Sequence, residues 1–242
     1  YDDIAIGINI CEDIWIEDGP AEEQVKQGAS LIININASPY DIQKSETRKE
    51  IVMKKALKLN VPIIYLNMVG GQDELVFDGG SFVVNDLGEI IYQASSFKEE
   101  VFHLDIDLKT NKQNNKSSLV IRPKTIELKD VERKPSLSKN ESIYSALKLG
   151  LRDYVRKNKF TKVLIGISGG IDSALTAAIC VDALGAENVI GVAMPSKYNS
   201  KDSLDDAINL ANNLGINLKT IEIEKLVDDF RETLTNSLNE EL

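Results

Sequence analysis

The stretch Lys162-Val163-Leu164-Ile165-Gly166-Ile167-Ser168-Gly169-Gly170-Ile171-Asp172-Ser173-Ala174-Leu175-Thr176-Ala177-Ala178-Ile179-Cys180 changes its period in the middle. Its first residues form a short apolar run, as a buried strand does. Its last residues are rich in alanine and leucine and predict a helix from Asp172 to Leu184, and the glycines between mark a tight strand-to-helix turn. The rhythm repeats downstream: a strand over 188–194, a helix from Asp202 to Leu214, a strand over 218–223 and a last helical stretch. A helix from Glu141 to Lys157 precedes it. Strands alternating with helices in this way predict a doubly wound parallel sheet over residues 141–242.

Upstream, residues 109–140 are rich in lysine, asparagine and serine with isolated prolines at Pro123 and Pro135, and they lack strand or helix periodicity. They read as a linker. Residues 1–108 return to α/β alternation: strands over 4–10, 31–36 and 61–69, helices over 20–29 and from Ile42 to Leu59, a hairpin around Asn85-Asp86-Leu87-Gly88, and a strand over 101–108. The whole chain is therefore α/β, with two domains and no internal repeat of 20–50 residues.

Composition narrows the function. A net charge of -10 argues against a nucleic-acid binder, whose affinity comes from lysine and arginine on phosphates. Only Cys11 and Cys180 occur, far apart, which suits a reducing, cytoplasmic setting. No run reaches the roughly 18 apolar residues of a membrane span. The chain starts at Tyr1, almost directly before a strand, and stops at Leu242 within a helical stretch; both ends read as interior to a longer protein.

Between strand and helix, Gly166 to Ser173 has the makings of an anion site. Glycines let the backbone approach a ligand, and the helix N-terminus offers unpaired N–H groups and a positive dipole end. Ser168 and Ser173 add hydroxyls. Asp172 either holds a magnesium ion against phosphate oxygens or caps the helix. A Walker loop would need a lysine after its last glycine, and a dinucleotide fingerprint would need glycine where Ser168 stands. The plainer alternative is a tight turn with no ligand.

Cys11 lies where an apolar strand ends, a position that presents a side chain to a cleft. As a thiolate it could attack a carbonyl; otherwise it is a small buried apolar residue. The only histidine, His103, falls in an alternating strand pattern and reads as structural rather than as a Cys–His partner.

Ser-Gly-Gly-x-Asp-Ser after a strand resembles the pyrophosphate loop of enzymes that split ATP into AMP and pyrophosphate. The segment Gly191 to Ser200, with Ser203, Asp205-Asp206-Ala207 and Leu210-Ala211 after it, is similar to NAD synthetases in particular, apart from Asn199 where serine is more usual. The first half resembles the C-terminal part of a nitrilase-type amidase domain. There Asn36-Ala37-Ser38-Pro39-Tyr40 with Lys44 and Arg48 looks like the glutamine-holding loop, and Asn67 to Glu74 with Phe77-Asp78-Gly79-Gly80-Ser81 like a later active-site loop. Together the halves resemble the glutamine-dependent NAD synthetases.

That resemblance implies the C-terminal part of a nitrilase-like αββα layered domain (1–108), a linker (109–140) and the N-terminal part of an ATP-pyrophosphatase domain of the adenine nucleotide α-hydrolase type (141–242). It implies Cys11 as nucleophile and Ser38, Lys44 and Glu12 at the glutamine. It implies Gly166, Ile167, Ser168, Gly169, Gly170, Ile171, Asp172 and Ser173 at the ATP phosphates, Val192 and Met194 at the adenine, and Mg2+ on Asp172. The substrates would be glutamine, deamido-NAD and ATP, with no nucleic acid or membrane partner, in a homo-oligomer at full length. The family's base glutamate and lysine would precede Tyr1, so the expectation is that these 242 residues alone turn over neither glutamine nor deamido-NAD. A nitrilase-type amidase joined to another ATP-pyrophosphatase synthetase, and a non-catalytic nucleotide-binding segment, stay open as alternatives.

Overall fold

The computed structural model describes residues 4–106, 108, 136–195 and 201–238. The chain divides into two compact units, 1–150 and 151–242. Asn199 and nearly all of the expected linker, with both of its prolines, lie outside the described residues.

The first unit runs β1 (Ala5–Ile10), α1 (Pro20–Lys26), β2 (Ala29–Asn36), α2 (Lys44–Leu59), β3 (Ile63–Asn67), β4 (Val69–Gln72), β5 (Leu75–Asp78), β6 (Phe82–Val84) and β7 (Ile90–Gln93), and α3 (Lys139–Lys157) begins in it and ends in the second unit. Five strands form one sheet in the order β1-β2-β3-β6-β7, parallel across β1, β2 and β3 and antiparallel from β3 onward. One face packs Ile32, Ile63, Tyr65, Phe82 and Val84 against Val52 and Ala56 of α2 and Ala21 of α1. This is one helix layer on one sheet layer. The opposite face keeps Ile8 and Ile10 at 59% and 66% exposure, so its apolar alternation is that of a sheet meant to be covered on both sides.

Residues 101–106 correct the expected strand. Phe102, Leu104 and Ile106 do alternate inward, onto Val83, Tyr92 and Ala94, yet the segment pairs with no strand among the described residues. Period-two burial needs only an extended backbone on a surface, whereas a strand also needs a ladder partner. A second difference is a hairpin: β4 and β5 pair antiparallel around Asp73, which has φ 50°, where an irregular loop was expected.

The second unit holds β8 (Val163–Gly166), α4 (Ile171–Leu184), β9 (Val189–Ala193), α5 (Lys201–Leu214), β10 (Asn217–Thr220) and α6 (Glu224–Leu238). Its three strands are parallel in the order β10-β9-β8, as the alternating rhythm requires. Ala177 and Cys180 of α4, Ala207 and Ala211 of α5, Val189 and Ile167 form its core. Burial raises the pKa of Cys180, which is packing material. No described helix is long and apolar enough to cross a membrane.

Candidate active sites

In the first unit the site collects at the C-terminal ends of β1, β2 and β3. Cys11 ends β1 with φ 52°, a left-handed conformation that a non-glycine residue adopts only when its surroundings hold it. Cys11 is half-buried and free, and residues 11–14 form a 3-10 turn. The turn means that strand alternation no longer separates Cys11 from Glu12, whose side chain is exposed. The amide of Ile10 donates to Asp13 Oδ2 at 2.9 Å and closes the turn.

The Ser38 loop is built by a buried arginine. Arg48, 3% exposed, reaches down from α2 and donates through Nε to Ser38 Oγ at 3.1 Å, and through Nη2 to the carbonyls of Ser38 and Pro39 at 2.9 and 2.8 Å. Its Nη1 donates to both oxygens of buried Asp78 at 2.8 and 2.9 Å. The guanidinium thus makes five hydrogen bonds through all three of its nitrogens, which is the geometry that makes arginine rather than lysine the residue for a buried pair. Asn67 completes the bracing: its Oδ1 accepts from the Ser38 amide at 3.0 Å. Arg48 and Lys49 are both buried, whereas Lys44 is half-buried at the first position of α2 with no side-chain partner among the described residues.

Tyr65 lies in the same cluster. Burial pushes its phenol pKa up, opposed by the Arg48 charge and the Ser38 hydroxyl and reinforced by Cys11 and Asp78. Its hydroxyl lacks a well-formed hydrogen bond among the described residues. His103, by contrast, lines a groove with Ile33, Ile64, Leu66 and Val83 on the opposite sheet face, so it forms no pair with Cys11.

In the second unit the loop from β8 to α4 binds itself into a ring. Ser168 N donates to Ser173 Oγ at 3.2 Å, the two hydroxyls lie 3.2 Å apart, Gly170 N donates to Ser168 Oγ at 3.3 Å, and Ser173 Oγ donates to Gly170 O at 2.9 Å. Gly170 is the N-cap, so Asp172 is not; it stands in the first turn with its carboxylate exposed. Gly169 has φ +80°, and a Cβ there would meet Ser203 O at 2.3 Å, so glycine is required twice over.

A cavity of about 230 Å³ lies beside the loop, lined by Gly166, Ile167, Ser168 and Met194 from the expected set. It is also lined by Ala193, Pro195, Ser203, Leu204 and Ala207, which the sequence reading had not assigned to a ligand. Val192 does not line it, and its carbonyl accepts from Ile167 N at 2.9 Å. The arrangement offers a largely apolar slot beside a loop that ends at the N-terminus of α4.

A carbon-nitrogen hydrolase family model matches residues 2–116, and an NAD synthase family model matches residues 143–241. The glutamine-dependent NAD(+) synthetase of Thermotoga maritima is 45% identical over 96% of this chain and 43% of its own length; that of Aquifex aeolicus is 42% identical over 91% and 42%. Over nearly its whole length the chain is similar to glutamine-dependent NAD(+) synthetases. The solved structure of that enzyme from Acinetobacter baumannii, in complex with adenosine diphosphate, aligns over 100% of the chain with a TM-score of 0.84 and 38% identity. The chain spans about two-fifths of the length of the relatives it matches.

Arg48 and Asp78 are the site residues whose role sequence reasoning missed. Both lay in quoted segments, but a helical arginine among five charged residues gives no sign that it is buried. The asparagines did leave a signal: Asn9, Asn34, Asn36 and Asn67 are polar positions recurring at strand period in otherwise apolar runs.

Proposed function

We propose that the protein makes NAD from deamido-NAD, ATP and glutamine, with glutamine hydrolysed at Cys11 and AMP, pyrophosphate and glutamate as the other products. What carries the proposal is the pairing, in one chain, of a cysteine held left-handed at the end of a parallel strand with a Ser-Gly-Gly loop at a helix N-terminus. The relatives' names point the same way.

At the amidase site, the Cys11 thiolate attacks the side-chain carbonyl of glutamine and the carbonyl π pair moves to oxygen. Its return expels the amide nitrogen as ammonia, which takes up the proton the thiol gave to a general base, and water then cleaves the thioester to glutamate. That base would be a glutamate which the resemblance places before Tyr1. Glu12, beside the nucleophile and exposed, and Lys44 would engage the charged ends of glutamine, and the braced Ser38 loop would line its site. At the other site, the carboxylate of deamido-NAD attacks the α-phosphorus of ATP, pyrophosphate leaves, and ammonia displaces AMP from the acyl adenylate. The amides around Gly169 and Gly170 and the N-terminus of α4 offset charge on the leaving pyrophosphate. The adenine end suits the slot beside Met194, with Ala193 and Ala207 leaving room for a flat ring.

A magnesium ion fits this donor set, because it takes one or two carboxylates together with phosphate oxygens and water, and Asp172 offers a single exposed carboxylate beside the loop. When bound it would neutralise phosphate charge there. Two domains, 1–108 and 141–242, joined by 109–140, suit the matched ranges 2–116 and 143–241. A cytoplasmic setting keeps the Cys11 thiol reduced, and a homo-oligomer at full length is testable by light scattering.

The test assays ATP and deamido-NAD with either glutamine or ammonium, using the protein at the full length of its natural gene. Cys11→Ala should abolish the glutamine reaction and leave the ammonium reaction. Loss of neither would remove the amidase assignment, and ATP cleavage with some other carboxylate in place of deamido-NAD would remove the synthetase one.

A further inference from the structure

The geometry points to Asn34 as a positioning residue for the Cys11 nucleophile, an inference that rests on the amidase reading above. Asn34 lies mid-face on β2 with 0% exposure, in line with Ile32 of the apolar core, where burying an amide is costly unless each polar atom finds a partner. Its partners form a chain. Asn36 Nδ2 donates to Asn34 Oδ1 at 2.6 Å, Asn34 Nδ2 to Asn9 Oδ1 at 2.7 Å, Asn9 Nδ2 to Gln24 Oε1 at 3.2 Å, and Gln24 Nε2 to the Ile8 carbonyl at 2.7 Å. Each amide donates onward to the next carbonyl, so reversing any one of them would set donor against donor on one side and acceptor against acceptor on the other. The orientation of Asn34 is therefore determined by the chain around it.

The second N–H of Asn34 donates to the carbonyl of Cys11 at 3.3 Å. That bond fixes a peptide plane. Because C=O and N–H point in opposite directions across a trans peptide, holding the Cys11 carbonyl down onto Asn34 turns the Glu12 N–H the other way, out of the buried face. Two consequences follow. The ψ rotation of Cys11 is fixed beside its φ of 52°, and the amide after the nucleophile is aimed as a donor for the oxyanion that forms when the thiolate attacks. Asn34 touches neither substrate nor sulfur in this role; it acts through the peptide.

The test compares Asn34→Asp with wild type in the full-length protein, following glutamine-driven and ammonium-driven NAD formation across pH. A protonated aspartic acid has one O–H donor for two acceptors, so kcat with glutamine should fall about 100-fold while the glutamine KM stays within about threefold. It should fall further as pH rises, since ionisation sets a carboxylate against the Asn9 and Cys11 oxygens, a limb that a merely structural residue would not give. Unchanged kcat at every pH, or a loss confined to KM, overturns the inference. If the ammonium reaction is lost as well, the variant has misfolded, and Asn9→Ala decides instead: removing the other acceptor of Asn34 should lower the glutamine kcat severalfold with KM held, and a wild-type kcat there overturns the inference. Cys11→Ala is the separate control, since survival of the glutamine reaction in it sinks the amidase reading whatever Asn34 shows.

Discussion

The two sites achieve order by opposite means. Around Cys11 it comes from buried side chains contributed by three strands and a helix: the guanidinium of Arg48, the carboxylate of Asp78 and the asparagine chain. Around Ser168 the partners lie within five residues of one another, and the loop is largely exposed. One site depends on tertiary packing, and the other on the local conformation of eight consecutive residues. They should therefore fail differently when single residues are changed.

The largest expected effect is at Arg48. Arg48→Met leaves Asp78 buried and uncompensated, which costs about 3–5 kcal/mol, and it frees the Ser38 loop. Denaturant unfolding should show that loss, and Arg48→Met with Asp78→Leu should recover part of it; an unchanged midpoint would mean the pair is not desolvated. The Ser168 loop should instead break at a single glycine. Gly169→Ala forces a left-handed alanine against Ser203 O, at about 1–2 kcal/mol for the backbone alone, so ATP should bind at least about tenfold more weakly by calorimetry. Gly170→Ala, with φ −86° and no new contact under 3.4 Å, should bind ATP nearly as wild type does. Equal effects at the two glycines would break the local account.

Ser173→Ala removes a hydroxyl that joins Ser168 N to Gly170 O, worth about 1 kcal/mol, so a loss of about fivefold in ATP affinity is expected. The smallest effect concerns acid. Glu22 is buried, which pushes its pKa up, but the hydrogen bond and charge of Lys55 at 2.6 Å and the charge of Lys58 bring it below the ordinary 4.5. A lowered folded pKa means that this stabilisation is complete above the ordinary value and is lost as pH falls through the lowered one. Glu22→Gln should flatten the acid limb of the first unit's unfolding curve, and an unaltered limb would show that other carboxylates set it.

The difference between the sites also explains what was legible beforehand. The strand-turn-helix over Gly166 to Ser173 could be read directly because its glycines and periodicity lie within one segment. Cys11 was singled out by its place at a strand end, and the glutamine-site expectations for Ser38, Lys44 and Glu12 came only with the family resemblance. Arg48 was grouped with the Ser38 segment by resemblance, but its burial was not legible, since charge along a helix does not reveal which residue lies beneath a loop 10 positions earlier in the chain. The strand over 101–108 failed for a related reason. Alternation in Phe102, Leu104 and Ile106 reports burial, and whether a neighbouring strand lies within hydrogen-bonding distance is not encoded there.

By itself the sequence determined most of the order of strands and helices, the parallel sheet of the second unit, the glycine-bearing turn from strand to helix and the position of Cys11 at a strand end. These follow from periodicity and from backbone freedom, which act over a few residues. Only the tertiary structure decided that Asn9, Asn34 and Tyr65 share one row of the sheet, that Arg48 turns inward to Asp78, 30 residues away, and that the Asn34 amide of the neighbouring strand reaches the Cys11 carbonyl. Register and burial bring together groups distant along the chain, and the strength of a hydrogen bond or ion pair depends on the desolvation that this packing creates.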